Sequence, residues 1–102
     1  MSEPRARTEE EVRTLFLDIF RHQAKHWASI PKLTPLQRCN GLAFSILNIF
    51  DGTTLGFPGM DLTLTPHEDD MEYHKSEGEN YFEPGMRIND CMLHELYYKE
   101  NM

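Results

Sequence analysis

The stretch Gly41-Leu42-Ala43-Phe44-Ser45-Ile46-Leu47-Asn48-Ile49-Phe50-Asp51-Gly52 decides how this chain folds. With Cys39 added, its apolar side chains cover nearly the whole circumference of a helix, and a helix that is apolar all round is expected to be buried all round. It is therefore predicted to be the central element. Thr34-Pro35-Leu36-Gln37 supplies the start, because Thr34 and Gln37 can satisfy each other's free backbone N–H groups and Pro35 suits the first helical position. Asp51-Gly52 supplies the stop. Gly41 weakens helix propensity, so its expected role is close approach of a neighbour.

Upstream, Thr8 and Glu11 form a second capping signature. Val12, Leu15, Phe16, Ile19 and Phe20 then recur at helical spacing, and Trp27 and Ile30 extend the stripe up to Pro31. This predicts an amphipathic helix antiparallel to the central one. Residues 1–7 are expected to be disordered, and residues 8–102 to form one domain.

Downstream the pattern changes. Met60, Leu62 and Leu64 alternate with Asp61, Thr63 and Thr65, the period of a half-buried strand, and residues 86–88 could pair with it across the Pro84-Gly85 turn. Thr65-Pro66-His67-Glu68 predicts a short helix over 66–77 stopped by Gly78. Asn89 or Asp90 is placed to cap a last helix with Leu93, Leu96 and Tyr97 facing inward. The expected fold class is α+β, mainly α: an antiparallel helical pair covered by a small two-stranded β element and two shorter helices.

The chain has 102 residues, which points to one domain. A domain of this size should bury roughly 60–70% of its extended-chain surface. Ten basic and seventeen acidic side chains give a net charge of −7, which argues against binding a nucleic-acid polymer through its phosphates. A small anionic ligand needs only one or two arginines. Cys39 and Cys91 read as two buried thiols rather than a disulfide, which fits a reducing, cytoplasmic setting. Residues 1–13 hold no apolar run, so no signal peptide is expected, and residues 41–50 are too few to span a bilayer.

Residues 66–95 crowd histidines and carboxylates together. On a helix starting at Pro66, His67, Asp70 and His74 would share one face. With His94 they could ligate a divalent metal, and Glu72 or Glu95 would then be the general base of a metal-dependent hydrolase. The plainer reading is structural. Here His94-Glu95 makes a buried hydrogen bond to the Asp69-Asp70 loop, and the acidic cluster locks the fold. No HExxH, CxxC, GxSxG or phosphate-cradling glycine loop occurs.

A second set is basic. Arg21, Lys25 and Arg38, with Lys32, gather around the junction of the first two helices beside His26 and Trp27. They could hold a phosphate-bearing small molecule such as a nucleotide, with Trp27 or Tyr81 stacking a base. Arg87 near Tyr81 is a further candidate. Scattered surface charge is the plainer reading of this set. Val12, Phe16, Leu17 and Phe20 widen the first helix's stripe beyond what one helical partner covers, so a homo-oligomer through that helix is expected.

Residues 41–52, Pro66-His-Glu-Asp-Asp-Met-Glu-Tyr-His74, Gly78-Glu-Asn-Tyr81 and Leu93-His-Glu95 together resemble the pattern of a family of proteins of about 100 residues from actinobacteria and their phages, the size of one small domain. The family has no assigned activity. The resemblance covers residues 8–98. It implies a self-contained unit in a phage or bacterial cytoplasm and transfers no catalytic residue. Together these features lead to the expectation of a small, non-enzymatic, oligomeric binding protein that captures a small ligand or a host protein. The alternative is the metal-binding module.

Overall fold

The computed structural model describes residues 3–98 and contains four helices: α1 (Glu9–Ser29), α2 (Pro35–Asp51), α3 (Asp70–Ser76) and α4 (Leu93–Leu96). Both long helices begin with a complete capping box, Thr8 with Glu11 and Thr34 with Gln37, and Pro35 opens α2. Residues 3–8 carry no helix or strand. Arg5 in this segment reaches Glu11 with two hydrogen bonds of 2.9 and 3.1 Å. Together with the Thr8 bonds, this guanidinium holds the Glu11 carboxyl down at about 2. The expectation of a disordered start falls partly on residues 1–2, outside the described residues.

α1 and α2 run antiparallel. Phe16 and Phe20 of α1 meet Phe50 at the far end of α2, with ring centroids 6.2 and 6.3 Å apart. At the other end, Trp27 lies across Gly41 and donates its indole N–H to Ser45 Oγ at 2.9 Å. A Cβ at Gly41 would sit 2.3 Å from the indole, so the missing side chain is what admits the ring. Arg38 Nη2 donates to the Ile30 carbonyl at 2.8 Å and ties the connection between the two helices. Lys32, inside that connection, has φ +67°.

α2 ends at Gly52, whose left-handed φ of +81° sends its N–H back to Ile49 and Asn48. The loop that follows returns to its start. Gly52 and Gly59 touch backbone to backbone, and Met60 N–H donates to Phe50 O at 2.9 Å. Phe57 from this loop is buried against Phe16, with ring centroids 5.6 Å apart.

The expected two-stranded β element is absent among the described residues, so the fold is helical rather than α+β. Only an isolated antiparallel bridge, Thr63 to Arg87, forms where it was expected. Two ladder bonds flank it, Ile88 N to Leu62 O and Leu64 N to Met86 O, both 2.9 Å. The ladder stops for local reasons. Toward one end the chain swings away at Pro84-Gly85, where Gly85 has φ +83°. At the other end the Asn89 side chain takes the place of a backbone rung. Its Oδ1 accepts from Leu62 N–H at 2.8 Å, and its Nδ2 donates to Met60 O at 2.6 Å. The alternation survives without a sheet: Leu62 and Leu64 are half-buried while Asp61, Thr63 and Thr65 are exposed.

Three further expectations are corrected. The short helix begins at Asp70 rather than Pro66, leaving His67 outside it. α2 is not buried all round, since only Gly41 and Ile49 along it are buried. Cys39 and Cys91 are free thiols but exposed, not buried. The last two share one cause. α2 packs against α1 and α4 alone, and α3 packs against no helix. Residues 61–88 form an arm whose one helix, α3, packs on none of the other helices.

The result is a thin plate, 57 × 46 × 20 Å. Its radius of gyration is 18.1 Å, against about 13 Å for a compact domain of this length.

Candidate functional site

The densest polar geometry lies where α2 ends and α4 begins. Asp51 is the last residue of α2, and its side chain is fully buried. Its Oδ2 accepts the backbone N–H of His94 at 2.9 Å and contacts His94 Nδ1 at 2.7 Å. α4 has no capping side chain of its own, so Asp51 caps it from another helix. Burial pushes the Asp51 carboxyl up. The hydrogen bonds from the His94 backbone and ring, and from the Leu93 backbone, outweigh burial and hold it below its ordinary value. An ionised carboxylate only accepts, so His94 Nδ1 carries the hydrogen. The ring stands edge-on to Phe44 at 5.7 Å, and Tyr97 Oη donates to Asn40 Oδ1 at 2.8 Å, completing the seat of α4 on α2.

Beside this pair is a cavity of about 290 Å³ lined by Asp51, Asp61, Arg87, Asn89, Asp90 and Cys91 together with apolar neighbours. Asp51 Oδ1 is buried with no partner. Arg87 Nε is engaged by Asp61 Oδ1 at 3.1 Å and by Asn89 Oδ1 at 3.3 Å. Three carboxylates against one guanidinium leave the cavity acidic, which suits a hydrogen-bond donor or cation rather than a phosphate.

The metal set His67, Asp70, His74 and His94 is not assembled. Among the described residues no group of three or more His, Cys, Asp or Glu side chains could hold a metal ion. His67 Nδ1 accepts from Asp69 N–H at 3.2 Å, and the His67 N–H donates to Asp70 Oδ2 at 3.2 Å. His74 lies 3.6 Å from Glu79. His94 belongs to Asp51, so its buried hydrogen bond runs to the end of α2 and not to the Asp69-Asp70 loop. Glu72 and Glu95, named as general bases, are exposed.

Most of the basic set is engaged locally. Arg21 pairs with Asp18 on its own helix at 3.0 Å, and Lys25 is exposed. His26 stands edge-on to Trp27, whose indole is committed to Gly41 and Ser45 and is not free to stack a base. Arg38 bonds Ile30. Tyr81 carries Lys75 over its ring at 5.0 Å. Of the set, Arg87 alone lines the cavity described above. Asp51 and Asn89 were missed as site residues because each reads as a helix-terminus signal; only their long-range hydrogen bonds reveal them.

Neither a protein-family model, nor a curated protein, nor a solved structure matches this chain. No helix among the described residues is long and apolar enough to cross a membrane.

Proposed function

We propose that this chain is a non-enzymatic binding protein that works as an oligomer, in a phage or bacterial setting. The observation that supports this is its surface. The chain exposes 8411 Å², whereas a compact monomer of 12.0 kDa exposes about 6,000 Å². Among the described residues only two large apolar side chains, Ile49 and Phe57, are buried. An excess of surface that carries exposed large apolar side chains such as Leu36, Phe82 and Met86 supports an interaction surface. The His94–Asp51 pair is spent on joining two helices, which favours capture over catalysis. Protein surface is the better-supported target than a nucleotide, since the polar cavity is acidic and Arg21, Arg38 and Arg87 are engaged by partners of their own chain.

Light scattering coupled to size exclusion tests the reading. A mass of at least twice 12.0 kDa at micromolar concentration is expected. A monomer up to millimolar concentration would overturn it.

A further inference from the structure

We infer that two copies of this chain pair backbone to backbone along residues 61–65, antiparallel, with Thr63 of one directly opposite Thr63 of the other. The inference rests on the oligomeric reading above and gives it a face and a register.

The isolated bridge carries the first observation. Leu64 N–H donates to Met86 O and Ile88 N–H donates to Leu62 O, so these bonds flank Thr63 and Arg87 rather than joining them. In an antiparallel pair that pattern turns the N–H and C=O of the flanked residues outward, to the two edges. Leu62 and Leu64 direct their backbone groups inward, to Asn89, Ile88, Met86 and Gly85. Asp61, Thr63 and Thr65 alternate with them. All three are exposed, and among the described residues no backbone–backbone bond reaches any of them. Such a row is a template for another strand. The single chain stops at one bridge; a second copy, not the chain's own fold, supplies further rungs.

The second observation is that the row is complementary to itself. Set antiparallel about Thr63, Asp61-Leu62-Thr63-Leu64-Thr65 places Thr63 against Thr63, Leu62 against Leu64 and Asp61 against Thr65. No like charges meet, and Thr opposite Thr is a favourable cross-strand pair. On the other face, Leu62 and Leu64 lie across from Ile88 and Met86, both exposed, so pairing joins the apolar rows of the two copies. The neighbouring registers fail. Centring on Asp61 sets two carboxylates against each other. Centring on Thr65 needs the His67 N–H, which is already donated to Asp70 Oδ2 at 3.2 Å.

The third observation excludes the opposite edge. A two-fold pair centred on Arg87 would set two guanidiniums face to face, and like charges directly opposite are destabilising. Gly85, at φ +83°, and the inward-bonded Asn89 side chain also keep that edge short. Joining a Thr63 edge to an Arg87 edge would leave both ends open and build a filament, whereas the Thr63 pair closes at two copies.

Hydrogen exchange tests the pairing directly. In the unsubstituted chain the Thr63 amide should exchange freely at dilution and become protected as concentration rises, while the Leu64 amide, bonded to Met86 within one chain, should be protected at both. Charge exchange gives the second readout. Thr63→Lys and Thr63→Glu each set like charges across the two-fold, and each alone should weaken self-association by about fivefold or more. A one-to-one mixture should form a heterodimer tighter than either homodimer. Position 63 is exposed, so both variants should keep their helical circular dichroism. A monomeric unsubstituted chain would overturn the oligomeric reading and this inference together. A dimer whose Thr63 amide still exchanges freely, whose protection appears at Arg87 instead, or whose two charged variants associate no better mixed than alone, would overturn the edge pairing and leave the oligomer standing.

Discussion

Asp51 grips His94 at two points with one oxygen, backbone N–H at 2.9 Å and ring Nδ1 at 2.7 Å, across a separation of 43 residues in sequence. Asp51→Asn removes the charge that makes both bonds strong, and should destabilise the chain by about 2–3 kcal/mol. The pH dependence follows from the sign of the shift. The Asp51 carboxyl is depressed in the folded state, so its contribution is present above the ordinary value of 3.8 and is lost as pH falls through the lower folded value. Glu11 adds a loss in the same direction between 4.5 and about 2. Calorimetric melting at pH 7, 4 and 3 should show a flat top and an acid slope for the unsubstituted chain, and a shallower acid slope for Asp51→Asn.

Gly41 exists to admit Trp27. Gly41→Ala puts a methyl group 2.3 Å from an indole that its bond to Ser45 holds in place, and should cost about 1–3 kcal/mol despite alanine's better helix propensity. Trp27 is the only tryptophan, so its fluorescence during urea unfolding reports the change directly.

Two kinds of information differ in how openly this sequence carries them. Both long helices were legible to the residue at their starts, because Thr8-Glu11 and Thr34-Gln37 are local signals answered by local bonds. The strand pattern at 60–64 was also legible as alternation, yet no sheet follows from it. Alternation says which side chains point inward and says nothing of whether a partner's backbone continues the ladder. The Asn89 side chain, 27 residues from the Leu62 N–H it occupies, settles that. The histidine-rich segment misled for the same reason. A shared helical face assumed a helix from Pro66, and the helix starts at Asp70. The burial of α2 was overestimated because periodicity counts apolar faces, not the elements available to cover them.

Lys32 holds φ +67° without being glycine, a conformation that costs an L-residue roughly 1 kcal/mol. It lies in an exposed turn. Lys32→Gly relieves that strain but adds unfolded-chain entropy worth about 0.5–1 kcal/mol, so the unfolding free energy should rise by no more than about 0.5 kcal/mol. Denaturant midpoints of the two proteins measure it.

Asn89 is buried, with both ends of its amide in use. Asn89→Leu keeps the volume and strands the Leu62 N–H and the Met60 carbonyl, at a cost of about 2–4 kcal/mol for two orphaned groups. Hydrogen exchange at the Leu62 amide should accelerate, while the amides in the middle of α2 should slow or speed only with global stability. Equal acceleration in both places would mean that the arm's root is not a separate latch.

The touching backbones of Gly52 and Gly59 make residues 53–58 a detour that leaves and rejoins the path at a single crossing. Leu55, at 97% exposure, marks its outermost point. Because the crossing fixes where the arm sets out, and Phe57 is the detour's anchor on Phe16, lengthening it at Leu55 costs only slowly growing closure entropy as long as Phe57 stays seated. A foreign peptide or dye-binding tag spliced beside Leu55 would travel as a passenger, giving a handle on this protein that disturbs neither the helical plate nor its outstretched limb.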